Sequence, residues 1–125
     1  LVQAPRFIAK GAAGVRFGAF RAELGGRHLG PRRADDGLQQ PQLSDYTVLD
    51  LGAAWEHGPF ELGLAVENLT DTKWRSSEFY FASCAPSEVG AVAACPPAGG
   101  GAGIDDFHFT PGNPINVRGW VRYAF

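Results

Sequence analysis

The sequence predicts an all-β chain: an antiparallel meander of about five long strands whose two unlike faces suit a transmembrane β-barrel rather than a sealed domain. Three observations carry this reading. Hydrophobicity alternates with a period of two in segment after segment, and a strand sends successive side chains to opposite faces. The face opposite the apolar one carries Lys10, Arg16, Arg21, Glu23, Arg27, Asp50, Glu56, Glu61, Glu67, Arg118 and Arg122, diluted by Gly and Ala. A dry core would not hold such charges unpaired, whereas a solvated lumen would. Tight turns at Gly18 and Gly58 fall at one end of the meander, and the long loops fall at the other.

The elements follow in order. Strand 6–17 places Phe7, Ala9, Gly11, Ala13, Val15 and Phe17 on one face, with Arg6, Lys10 and Arg16 opposite. Gly18-Ala19 turns the chain, because Gly accepts the positive φ of a tight hairpin. Strand 20–33 continues with Phe20, Ala22, Leu24 and Gly26 against Arg21, Glu23 and Arg27. Loop 34–45 is marked by Asp35-Asp36-Gly37 and Pro41. Strand 46–57 aligns Thr47, Leu49, Leu51, Ala53 and Trp55, and Gly58-Pro59 ends it. Strand 60–74 sets Phe60, Leu62, Leu64 and Val66 against Glu61, Gly63, Ala65 and Glu67. The stretch 75–113, rich in Gly, Ala and Pro, is expected to be one long irregular loop. Strand 114–125 closes the chain, with Ile115, Val117, Val121, Tyr123 and Phe125 facing one way and Asn116, Arg118, Trp120 and Arg122 the other. An aromatic last residue with no polar tail predicts a strand held by its neighbour to the end. Each strand is expected to reach about ten residues, the length a tilted strand needs to cross hydrocarbon; soluble strands average about five or six.

Composition excludes some functions. A net charge of −2 without a basic stripe gives no support to nucleic-acid binding. The sequence holds no apolar run of about 18 residues, hence no membrane-spanning helix, which leaves barrel strands untouched. With no Met and no signal peptide at Leu1, the chain is expected to be a piece of a longer protein. There is no nucleophile elbow and no phosphate-cradling glycine loop, and no cofactor or metal is expected. Asp35 and Asp36 are adjacent, so in extended chain they point apart. An enzyme is not expected.

Several residues are candidates for more specific roles. Cys84 and Cys95 lie in the long loop; a local disulfide would contribute about 2–3 kcal/mol by the chain-entropy model, and a periplasmic or surface location permits it. Metal binding by two thiols, or a free reactive pair, are the alternatives. Asp105, Asp106 and His108 form an acidic and imidazole cluster that would suit contact with a metal chelate or other ligand, or else form a solvated turn with an Asp bonded to its own backbone. His28 and His57 lie near strand ends and read as structural. Trp55, Trp74, Tyr46 and Phe60 are candidates for interfacial aromatic girdles, and Trp120 faces inward by parity. Asn68-Leu69-Thr70 fits a glycosylation acceptor, set aside because the rest of the chain reads as bacterial.

The ordered pieces Leu29-Gly30-Pro31-Arg32-Arg33 with Asp35-Asp36, Tyr46-Thr47-Val48-Leu49-Asp50-Leu51, Val66-Glu67-Asn68-Leu69-Thr70-Asp71, Trp74, and Phe109-Thr110-Pro111-Gly112-Asn113-Pro114 cover nearly the whole chain. Together with Phe125 they resemble the C-terminal end of a TonB-dependent outer-membrane receptor. Asn68, Leu69, Asp71 and Trp74 resemble that family's Asn-Leu-x-Asp signature with its following aromatic, and Pro111, Gly112 and Pro114 its entry to the terminal strand. Val121, Tyr123 and Phe125 resemble the signal read by the barrel assembly machinery. The resemblance implies a barrel of about 22 strands around an N-terminal plug, driven through TonB from the inner membrane of a Gram-negative bacterium. It implies outer-membrane lipid, the plug and the remaining strands as partners. The implied cargo is a ferric siderophore or related iron complex, with haem, cobalamin and oligosaccharide as other classes. A small self-contained β-barrel binding module, or a structural or adhesive outer-membrane protein, are the alternative readings.

Overall fold

The computed structural model describes residues 4–34 and 41–125. Among these there is no helix; the chain is antiparallel β-structure throughout. The strands are β1 (Ile8–Phe17), β2 (Phe20–Leu29), β3 (Arg32–Arg33), β4 (Gln42–Leu43), β5 (Tyr46–His57), β6 (Phe60–Glu67), β7 (Arg75–Ser83), β8 (Ile104–Pro111) and β9 (Asn116–Tyr123). Five of them form one sheet in the order β1-β2-β5-β6-β9; β3 pairs with β4, and β7 pairs with β8. The sheet is open, with β1 and β9 at its edges.

The alternation fixes the register. Leu24, Leu51, Val66 and Val117 form one cross-strand row, and Phe17, Phe20, Trp55, Leu62 and Val121 form another. A slip by one residue would send every one of these side chains to the charged face. Gly18 and Gly58, both at φ 55°, make the two tight turns, where a Cβ would strain the backbone.

Several expectations are corrected, and β1 starts at Ile8 rather than at residue 6. β2 stops at Leu29, because the Pro31 nitrogen has no hydrogen to extend the ladder. β6 stops at Glu67, because Asn68 takes φ 53° and turns the chain out of the sheet. β9 runs over Asn116–Tyr123, within the predicted 114–125. Both β6 and β9 have 8 residues, shorter than expected. The predicted loop 75–113 contains the β7–β8 ribbon, and the predicted loop 34–45 contains β4; Asp35 and Asp36 lie outside the described residues.

Buried apolar residues are few and scattered: Ala34, Leu43, Val48, Ala54, Val66 and Cys95. Among the described residues, no protein layer covers the apolar face of the large sheet. Phe17 is 86% exposed and Val121 69%, and Leu62, Leu64 and Tyr123 are exposed beside them. The contiguous patch far exceeds the single exposed apolar residues that any surface tolerates.

Candidate functional site

The charged face of the sheet is a chain of alternating charge that crosses all five strands. Glu56 and Glu61 stand directly opposite each other on β5 and β6. Like charges in that position repel. Arg21 bridges them, Nη1 donating to Glu56 at 2.7 Å and Nη2 to Glu61 at 2.9 Å. Arg16 approaches Glu56 at 3.5 Å, and Arg122 approaches Glu61 at 3.5 Å. Trp120 Nε1 donates to the other Glu61 oxygen at 3.0 Å. Further along β9, Arg118 and Asn116 donate to Glu67 at 3.2 and 3.4 Å. Exposed pairs of this kind contribute little each, about 0–1 kcal/mol. Glu61 is the most enclosed member, its side chain only 13% exposed.

Two glycines serve indoles. Gly63 lies opposite Trp120 in the ladder, and a Cβ there would overlap the ring. The ring therefore rests on bare backbone, which holds its N–H toward Glu61. Beside it a groove of 460 Å³ runs over Gly52 and Ala54, walled by Arg16, Arg21, Glu23 and Trp120. Trp120 thus lies on the charged face, as its parity requires.

The residues of the Asn-Leu-x-Asp stretch gather at the loop end of the sheet with those before β9. Asn68 is buried; its Nδ2 donates to the carbonyls of Thr72 at 2.9 Å and Asn113 at 3.0 Å, and its Oδ1 accepts from Thr72 N at 2.9 Å. Its own N–H donates to Asp50 Oδ1 at 2.9 Å. Leu69, exposed, donates its N–H to Leu49 O at 2.7 Å. Asp71, at φ 48°, accepts from Lys73 at 2.7 Å and from Ile115 N at 3.1 Å. The Lys73 hydrogen bond, then the Ile115 amide, hold its carboxyl below the ordinary aspartate value. Trp74 Nε1 donates to Asn113 O at 3.1 Å, and Gly112 N donates to Trp74 O at 2.7 Å. A Cβ on Gly112 would overlap the Trp74 ring, so only glycine fits. Pro111 ends β8 and Pro114 precedes β9. Asn and Asp fit here because their short side chains tolerate positive φ and bond nearby backbone.

The girdle expectation divides. Trp55 stacks on His57 at 5.3 Å, and Phe60 packs on Tyr123 at 5.0 Å, all at the tight-turn end of the apolar face. Phe125 joins Tyr123 at 5.6 Å, and Val121 lies opposite Leu62. Tyr46 and Trp74, by contrast, pack together at 5.0 Å with Arg27 4.9 Å over the indole, on the charged side. Parity with Val48 and Asp50 carries Tyr46 there, and packing on Tyr46 and under Arg27 holds Trp74 beside it. His28 bonds Thr47 Oγ1 at 2.9 Å and packs on Phe7, a structural placement.

Asp105, Asp106 and His108 lie on β8, not in a loop, and the strand separates them. Asp105 faces the side opposite to Asp106 and His108. Asp106 accepts from Phe107 N at 2.7 Å, while His108 stacks on Phe81 at 3.9 Å and bonds Ser83 Oγ at 3.0 Å. No acidic or imidazole cluster fit for a metal occurs among the described residues. Cys84 and Cys95 are joined as a disulfide with Cα atoms 5.7 Å apart, at the tip of the β7–β8 ribbon.

One residue was invisible in the sequence. Glu78 on β7 is buried, pairs with Arg75, and accepts from Ser44 N at 2.8 Å. It fastens the ribbon to the segment before β5. Its partner Ser44 is 34 positions away, so no local pattern betrays that tie. Compared with known proteins, the chain matches no family model, no curated protein and no solved structure. What the geometry defines is an open antiparallel sheet with one bare apolar face and one ion-paired face.

Proposed function

We propose that the chain is the C-terminal part of the β-barrel of a TonB-dependent outer-membrane receptor. The parent would take up a scarce nutrient, a ferric siderophore or related iron complex, across the outer membrane of a Gram-negative bacterium. One observation carries the reading: the apolar face of the five-stranded sheet is exposed along all five strands, while the opposite face is ion-paired across them. Lipid outside and water inside satisfy both faces at once. The gathering of Asn68, Asp71, Trp74, Gly112 and Asn113 at the loop end adds support, since the long connections lie there and the tight turns lie opposite.

In this reading the charged face lines the lumen against the N-terminal plug, supplied by the parent chain. TonB engages the parent through its N-terminal region, and Val121, Tyr123 and Phe125 present the barrel assembly signal. The β7–β8 ribbon extends outward from the rim. Cell fractionation and transport test the reading together. The parent protein should sediment with outer membranes, and its deletion should abolish energy-dependent uptake of at least one labelled ferric chelate in iron-starved cells. Recovery in the soluble periplasm, or unchanged uptake of every chelate, haem, cobalamin and oligosaccharide tried, would overturn it.

A further inference from the structure

We propose that the bare face of the large sheet seats a phospholipid bilayer at one fixed level, set by two polar lips: His28 with Thr47 at the loop end, and His57 at the tight-turn end. The proposal rests on the barrel reading and adds the depth at which the lipid crosses.

One strand carries both lips. On the apolar side of β5, Thr47 is followed by Leu49, Leu51, Ala53, Trp55 and His57. A hydroxyl or an imidazole is costly to strand in hydrocarbon, so such groups mark where hydrocarbon ends. Thr47 and His57 stand ten residues apart. At about 3.3 Å per residue and a strand tilt of about 35–45°, that separation covers about 23–27 Å along the membrane normal. The apolar band of a transmembrane barrel is about 25 Å tall. Between the lips the five strands place no charged residue on this face.

The neighbours of each lip fit the level. His28 uses one imidazole nitrogen on Thr47 Oγ1 at 2.9 Å, which leaves the other for water or a headgroup. His57 is exposed, stacks on Trp55, and stands opposite Phe60, which packs on Tyr123. Indole and phenol rings, apolar in body and polar at the tip, favour the headgroup level. At the loop end Tyr46 and Trp74 turn to the charged side, and the lip is left to His28 and Thr47. A second copy or a partner protein could cover apolar rows of any height. A bilayer alone demands that polar groups stand one hydrocarbon thickness apart.

The parent protein, inserted in phosphatidylcholine vesicles that carry a nitroxide either on the headgroup or at the chain end, tests the level. One fluorophore at a time is attached through Thr47→Cys, Leu51→Cys, His57→Cys or, on the charged face, Gly52→Cys, where a Cβ meets no atom within 4 Å. The labels at positions 47 and 57 should be quenched more by the headgroup nitroxide than by the chain-end one. The order should reverse at position 51, and neither lipid should quench at position 52. Ala53→Cys should read like Leu51→Cys. Stronger chain-end quenching at position 47 or 57 would overturn the level. Labels on the apolar face that no lipid quenches in the inserted protein would show a second copy or another protein covering it, and would overturn the proposal too. Both failures leave the uptake result untouched. A parent that gives the expected order yet takes up nothing keeps the level and loses the receptor reading; one that never inserts overturns level and barrel together.

Discussion

The five-stranded sheet and the β7–β8 ribbon are both antiparallel β-structure, yet they solve the problem of two faces differently. The sheet segregates strictly: apolar rows on one side, a ladder of Arg and Glu on the other. The ribbon does not. Phe79 and Phe81 are exposed on one of its faces, while Tyr80 packs on Phe107 and Arg75 lies 4.1 Å over Phe109 on the other. In the proposed barrel, a sheet flanked by two different media must keep its faces apart. A ribbon that projects into one medium has no such demand, and it relies on local fastenings instead: the disulfide at its tip, Glu78 on Ser44, and the Trp74–Gly112 corner at its base.

That contrast is open to direct attack. The largest effect is expected from Leu64→Arg, which places a charge on the bare face. In the membrane-inserted parent it should cost about 2–4 kcal/mol if the site is near the midplane. Glu61→Gln on the charged face should cost about 1 kcal/mol or less, because it weakens partly exposed pairs. Urea titration of the parent in bilayers measures both, and equal losses would end the two-media account of the sheet.

Cys84→Ser should act on the ribbon alone. Opening its short loop costs about 2–3 kcal/mol by the chain-entropy model. Limited proteolysis should then cut within residues 84–103 while the sheet stays protected. Simultaneous cleavage of the sheet would mean that the two regions are one cooperative unit.

Asn68→Ala attacks the junction. It leaves a non-glycine at positive φ without its side-chain bonds to Thr72 and Asn113, a loss of about 1–3 kcal/mol. Hydrogen exchange should rise at Thr72 and at the start of β9 ahead of the rest of the sheet. A uniform rise would place the junction within the sheet's own stability.

The smallest effect concerns pH. Asp71 has its carboxyl held below the ordinary aspartate value by Lys73 and Ile115. A depressed carboxylate stabilises above its unfolded value, about pH 4, and that contribution is lost as pH falls through the lower folded value. Acidification below about pH 4 should therefore loosen the Asp71–Ile115 corner, and Asp71→Asn should flatten the dependence. A corner that loosens identically in both proteins would assign the effect to other groups.

Legibility in the sequence followed the same divide. The rows of the large sheet could be read because Leu62, Leu64 and Val66 alternate with Glu61, Gly63 and Ala65. The ribbon was missed because Phe79, Tyr80 and Phe81 run together without alternation, and because the Gly, Ala and Pro of its tip dominate the stretch. Asp105, Asp106 and His108 looked like a cluster for the same reason: adjacency in sequence conceals the alternation of a strand. Tyr46 and Trp74 were assigned to an outward girdle by residue type, whereas the parity of Tyr46 on β5 and the contacts of Trp74 with Tyr46 and Arg27 place them on the charged side.

The sequence by itself determined which side of each long strand is oily, where the chain turns tightly, and which short polar residues sit at its corners. These are local properties, set by a period of two and by the backbone preferences of Gly, Pro, Asn and Asp. Only the tertiary structure decided that Arg21 spans two opposed glutamates, that Gly63 and Gly112 each lie under an indole, and that Glu78 reaches Ser44. Those groups lie far apart along the chain, and only the ladder's register brings them together.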